Sequence, residues 1–285
     1  HTGEGYVFRT DLRLRPDASV TPVCISMEAA ERYYESLGRT WERAVWIKAR
    51  PCAGDLAAGA RFIETLRPFV WRRHLDYAAI QDAHDMRLRI RKHKGLGGAL
   101  VLEGHNMKLG QGGIREIEFF TQTRQLISGG RDPDLRLRDT VGGLAALAQK
   151  GWIAQSTATH LTDHYRAHRE VEHRLQMVND AQTQLLPNNP EGMDRLARFM
   201  GEGDTAKWRR ELLERLGEVA AMTEDFFAPA DAAEMPEMSD QQRSIVSGWR
   251  AYPSLRSERA QEIFTRLQPD LLSRLLRAPM PDDAI

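Results

Sequence analysis

The sequence predicts a mainly α-helical protein with a small α/β part at its start, and three observations carry that expectation. Residues 7–16, VFRTDLRLRP, alternate apolar and charged side chains with the period of a strand. From Ser26 onward apolar residues recur at helical spacing between good caps and glycine or proline turns. Beyond Thr140 no strand pattern remains.

In the first stretch Phe8, Leu12 and Leu14 fall on one side, with Arg9, Asp11, Arg13 and Arg15 on the other. Arginine forks grip phosphate oxygens, and a hard divalent cation prefers carboxylate oxygen, so this face suits a metal and phosphates. A solvated face on an amphipathic strand is the plainer alternative. After a turn-rich stretch at 16–22, Ser26 caps a helix to about Leu37 and another covers about 40–48. Past Pro51, Asp55 caps a helix through Ala60, Phe62, Ile63 and Leu66. A further helix runs through Tyr77, Ile80, Met86 and Ile90, and glycines at 95–98 mark a loop. A short extended segment at 107–109 leads into a glycine turn at 110–113 and a strong helix to about Ile127. Only helices follow, separated by turns at 187–190 and 201–203. Residues 228–238 read as a linker; Ser239 and Gln242 then form a capping box, and helical patterning continues to Leu276.

Forty basic and forty acidic residues cancel, so no global field draws the chain to nucleic acid or an anionic membrane. Cys24 and Cys52 are too few for a disulfide framework and lack metal-ligand spacing, which points to a reducing compartment, the cytoplasm. No apolar run has the length of a membrane span, and no signal peptide is visible. The chain opens without Met and closes without a terminal feature, and is expected to be an internal piece of a longer protein.

Three constellations could carry chemistry. In 104–128 the glycines permit close backbone approach, the helix start offers N–H groups to an anion, and Lys108 sits just before the turn. On the helix itself Ile114, Ile117, Phe119, Phe120, Leu126 and Ile127 span an apolar arc; Arg115, Glu118, Gln122 and Gln125 gather opposite. Glu116 lies inside the apolar arc, either as part of an active site or in a structural ion pair with an arginine such as Arg73. His168 and Glu172 likewise fall in the apolar stripe of a later helix, four residues apart, and are expected to pair with each other. In 40–51, Arg43, Lys48 and Arg50 are candidate phosphate or carboxylate clamps, or a solvated rim.

The blocks VFRTDLRLRPD, TWERAVWIKARPCAGD, GHNMKLGQGGIREIEFF with TQTRQLISGGRDP, and EHRLQMVNDAQTQLLP lie in one order over most of 5–187. Together they resemble the glutamine synthetase adenylyltransferase/adenylyl-removing enzymes. LRSERAQEIF at 255–264 resembles the region linking that family's two catalytic halves. The resemblance implies an incomplete polymerase-β-type nucleotidyltransferase domain over 1–135, a helical bundle over 136–228, and over 229–285 a linker with the start of the joining region. DLRLRP and GGIREIEF match the N-terminal, adenylyl-removing half; the C-terminal half shows DARLRP and GGITDIEF. That half removes AMP from adenylylated glutamine synthetase, with inorganic phosphate consumed and ADP released.

Carried onto this sequence, Asp11 corresponds to the third carboxylate of the metal triad, and Arg13 and Arg15 fall in the same motif. Lys108, Arg115, Glu116 and Glu118 match the glycine-turn block. Asp11, Glu116 and Lys108 are therefore the catalytic candidates, with Asp11 on a metal, Mg2+ or alternatively Mn2+. Arg13, Arg15, Lys48, Arg50, Arg115 and Glu118 are the phosphate or nucleotide candidates. Glu172, Gln176 and Gln182 match the bundle signature as structural residues. The family's Gly-Ser and Asp-x-Asp element has no counterpart before residue 7, so this chain is expected to be inactive alone. Implied partners are glutamine synthetase and a PII signal protein, with no nucleic acid or membrane. The alternatives are a non-catalytic helical module docking one of those proteins, or the ATP-dependent adenylylating half.

Overall fold

A computed structural model describes residues 11–12, 15–72, 100–178, 180–227 and 238–249, and the single positions 252, 255, 257, 261, 264, 268 and 272. They are mainly helical. The chain separates into two compact units, His1–Phe226 and Phe227–Ile285.

The first unit opens differently from the expectation. Asp11 and Leu12 form no strand, and Leu12, meant for a buried back, is 52% exposed. The chain turns at once: the Arg15 guanidinium donates to the carbonyls of Leu12, Ala18 and Thr21, folding the segment onto itself. Alternation alone cannot hold a strand without a neighbouring ladder. Phe8, Arg9, Arg13 and Leu14 lie outside the described residues, as do the helix expected through 77–90, the loop at 95–98 and most of the linker at 228–238.

Four helices follow: α1 (Met27–Ser36), α2 (Thr40–Ile47), α3 (Leu56–Thr65) and the single turn α4 (Arg67–Val70). Their starts are local chemistry. The Ser26 hydroxyl accepts the Ala29 N–H, the Asp55 carboxylate accepts that of Ala58, and Glu42 reaches back to Arg39 N–H. Buried Ala30, Tyr34 and Leu66 pack with Trp46, Phe62 and Phe69 into an aromatic core. Arg43 is not a clamp at the surface: it is 1% exposed and donates through Nε and Nη2 to the Val70 carbonyl at 3.2 and 3.1 Å. It shares its side of α2 with Ala44 and Ile47, so it is carried into the packing and caps the end of α4.

The rest of the unit is a bundle: α5 (Ile114–Ser128), a 3-10 turn (Pro133–Leu135), α6 (Thr140–Gln149), α7 (Gln155–Val178), α8 (Pro190–Phe199) and α9 (Thr205–Phe227). Ile117 and Phe120 of α5 meet Leu144, Ala158, Leu161 and Val219. A second cluster joins Met107, Val171, Leu186, Met193, Leu212 and Leu216. The extended segment expected at 107–109 reduces to one bridge, Asn106 with Leu185. Asn106 Oδ1 accepts the N–H groups of Lys108 and Leu109 at 3.0 and 2.8 Å, and this Asx turn ends the extension. The polar side of α5 is buried as well. Glu118, Gln122 and Gln125 are covered because α2 and α6 pack there, and Gln125 donates to the carbonyls of Leu135 and Leu137.

In the second unit α10 (Asp240–Gly248) starts at the expected Ser239–Gln242 capping box. Val246 and Leu272 are buried there with Met238 and Trp249 beside them. No helix among the described residues is long and apolar enough to cross a membrane.

Candidate functional site

The glycine turn before α5 was expected to present free N–H groups to an anion. They are occupied. Ile114 N–H donates to Met107 O, Arg115 N–H to Lys108 O and Glu116 N–H to Gly113 O, at 2.9, 2.9 and 3.0 Å. The loop curls back and supplies the acceptors an anion would have been. Lys108 thus joins the turn through its main chain; its side chain is half-buried. What approaches closely is α9. Gly112 has φ +70°, and a Cβ there would lie 1.8 Å from the Leu216 carbonyl oxygen.

Glu116 is buried, as its place in the apolar arc implied, at 6% exposure. Its Oε2 accepts the Gly112 N–H at 3.0 Å and the Thr223 hydroxyl at 3.3 Å, which joins the glycine turn to α9. Arg73, the proposed partner, lies outside the described residues. Glu116→Leu should cost about 2 kcal/mol by stranding a buried N–H, and Glu116→Gln, which keeps an acceptor oxygen, less than about 1 kcal/mol. Urea midpoints of the two variants check this.

His168 and Glu172 are both buried, yet they do not form the expected pair. Glu172 Oε2 lies 2.7 Å from Arg169 Nη1, three residues earlier on the same face. Burial, with Arg215 and His164 nearby, pushes the His168 imidazole down to about 3, so it stays neutral.

One group of predicted site residues is brought together from distant sequence. Lys48, just past the end of α2, sets its Nζ 2.9 Å from Glu118 Oε1, and Arg115 Nη1 lies 3.3 Å from Glu118 Oε2. Thr140, the first residue of α6, accepts from Lys48 at 3.3 Å. The sequence held no sign of Thr140, which is 92 residues from Lys48. Glu118 is 12% exposed, whereas Lys48 and Arg115 each keep 37% of their side chains in solvent. Burial raises the Glu118 pKa, but attraction and hydrogen bonds from Lys48, then Arg115, outweigh it and hold the carboxyl below its ordinary value. Two cations fixed on one carboxylate keep part of their side chains in solvent, an arrangement whose chemistry suits a phosphate or carboxylate.

A folded pKa below the unfolded one gives stability that is full above the unfolded carboxylate value, about 4.3, and lost as pH falls through the lower folded value. Glu118→Gln should therefore lower Tm at neutral pH and flatten the acid limb of a Tm-versus-pH profile, so that variant and parent converge as pH falls below about 4.3. Thermal unfolding across that range checks this.

Arg50 is exposed, Arg15 is turned onto its own loop, and Asp11 is exposed. Arg13 lies outside the described residues. The described residues contain no group of three or more His, Cys, Asp or Glu that could hold a metal. Asp11 supplies one carboxylate, a part of the oxygen ligand set that Mg2+ or Mn2+ takes.

Two family models match the chain: GlnD PII-uridylyltransferase over residues 83–228, half of its length, and glutamate-ammonia ligase adenylyltransferase over residues 1–65. Among curated relatives, proteins of Rhodopseudomonas palustris (strain TIE-1) and Mesorhizobium japonicum are 43% and 45% identical over 99% and 100% of this chain. One of Rhizobium meliloti is 57% identical over 74% of it. All three are named bifunctional glutamine synthetase adenylyltransferase/adenylyl-removing enzyme. The chain spans 31% of the length of the first two and 21% of the third. Identity at this level across nearly every described helix, with half of the chain under one nucleotidyltransferase model, leaves one assignment: the chain belongs to the family of the bifunctional glutamine synthetase adenylyltransferase/adenylyl-removing enzymes.

Proposed function

We propose that this chain is part of the adenylyl-removing half of such an enzyme, in the cytoplasm, and serves phosphorolysis of adenylyl-tyrosine on glutamine synthetase. An oxygen of inorganic phosphate attacks the adenylyl phosphorus, and the bond from phosphorus to the tyrosine oxygen breaks. The tyrosine oxygen keeps the electron pair and takes up the proton carried by phosphate. The products are ADP and free tyrosine. The observation that carries this reading is the Lys48–Glu118–Arg115 clamp, in a chain whose DLRLRP and GGIREIEF match the adenylyl-removing half. Lys48 and Arg115 hold the incoming phosphate and offset its charge as it approaches a second phosphoryl group. Glu118 keeps the two cations in place. Mg2+ or Mn2+, with Asp11 as one ligand, and a PII protein as regulator are part of the proposal.

The match of residues 1–65 to an adenylyltransferase model favours a second reading, ATP-dependent AMP attachment. A chimaera decides between them: this chain replaces the aligned segment of the Rhizobium meliloti relative, and adenylylated glutamine synthetase is offered with phosphate. ADP released in proportion to phosphate supports removal. AMP incorporated from ATP into unmodified glutamine synthetase, with no ADP from phosphate, overturns it. Neither activity, with binding to glutamine synthetase kept, leaves a docking module.

A further inference from the structure

The cleft between α1 and α2 has no role in the clamp. It is a cavity of about 120 Å3 whose walls are aromatic: Tyr34, Trp41 and Trp46, with Val45 and Ala49 between them and Arg15 at one side. Tyr34 and Trp46 meet edge-on, with centroids 5.4 Å apart at 88°, so one aromatic edge is already fixed and the cleft is preformed. Glu42 also borders it, but its carboxylate accepts from Arg39 N–H at 2.8 Å and from Tyr33 hydroxyl at 3.3 Å, so its acceptor oxygens are turned to α1.

Two observations say what such a cavity would take. Arg15 lines it with its Nη atoms tied to carbonyls, while its Nε is sealed from solvent and has no acceptor among the described residues. A guanidinium so placed supplies positive charge to the wall of the cleft. Second, Lys48 follows Trp41 by two helical turns and so stands near the same side of α2, next to Val45. A flat ring seated against these walls would carry its phosphate toward Arg15, with Lys48 at the end of the same helix.

We infer that the α1–α2 cleft is a subsite for a planar aromatic ring joined to a phosphate. This rests on the proposed phosphorolysis, in which the group cut carries two such rings, adenine and the tyrosine phenol. Stacking on aromatic faces holds the ring, and Arg15 with Lys48 orients its phosphate.

The test is equilibrium dialysis of the 285-residue chain with AMP, with O-phosphotyrosine and with ribose 5-phosphate, followed in parallel by quenching of tryptophan fluorescence. AMP or phosphotyrosine should bind and quench, and ribose 5-phosphate, which has no ring, should not; whichever ring binds names the source. Val45→Phe and Ala49→Leu, which fill the cleft, should each weaken binding by about tenfold. Circular dichroism shows which of the two keeps its fold, and that variant decides. Equal binding of all three probes, no binding of any, or no change on filling the cleft overturns the inference. Failure of the phosphorolysis reading shows separately: the chimaera then releases no ADP, while ring binding and its loss in Val45→Phe persist.

Discussion

Gly112→Ala should lower the stability of the first unit by about 4 kcal/mol and its Tm by about 10 °C. Two costs add. At φ +70° a side chain is held in the left-handed region, which costs about 1–3 kcal/mol. The new Cβ also falls 1.8 Å from the Leu216 carbonyl oxygen, inside α9, and a helix backbone cannot yield as a flexible side chain does. Either α9 moves off the Met107–Leu216 core or the turn opens and releases the Gly112 N–H from Glu116. Gly104→Ala is the internal control: it shares φ +70° but has nothing within 4 Å, so it should lose about 1 kcal/mol. Thermal and urea unfolding of both variants isolate the close approach. Equal losses would mean that the turn withdraws from α9 without cost, and would refute its role as a packing device.

The second large effect is on chemistry. Lys48→Ala combined with Arg115→Ala should lower kcat/KM for phosphate-dependent ADP release in the chimaera about 10²-fold, and each single change about 30-fold. The effect on stability should be small, about 1 kcal/mol or less, because both cations keep over a third of their side chains in water and exposed pairs contribute little. That asymmetry discriminates. A structural ion pair would shift Tm and leave kcat/KM intact; a phosphate clamp does the reverse. The two singles share Glu118 as a common partner, so their effects should not add, and a double-mutant cycle measures the coupling.

Helix starts were legible because a cap is decided within four residues. Ser26, Asp55 and the Ser239–Gln242 box all serve as their neighbours implied. Periodicity located buried Glu116, His168 and Glu172, because a helix repeats its faces every few residues. It could not say what each would meet: Thr223, which donates to Glu116, is 107 residues away. Of the strand read over 7–16, the described Asp11 and Leu12 form no strand and Leu12 is exposed, which the alternation of side-chain types does not foretell. Arg43 shows the limit of charge as a guide to exposure, for its stem is long enough to be packed while its head reaches a carbonyl.

By itself, the order of residues determined the helical class, the caps and turns, the family and that Glu116 and Glu172 would be covered. These depend on interactions within a few positions, or on motifs preserved along the chain. Tertiary structure decided that the glycine turn meets a helix backbone and its N–H groups meet its own carbonyls. It also decided that Lys48, Arg115, Glu118 and Thr140 share one place. Such contacts arise only when segments 70 and 92 residues apart are packed together, and the spacing of letters carries no record of that packing.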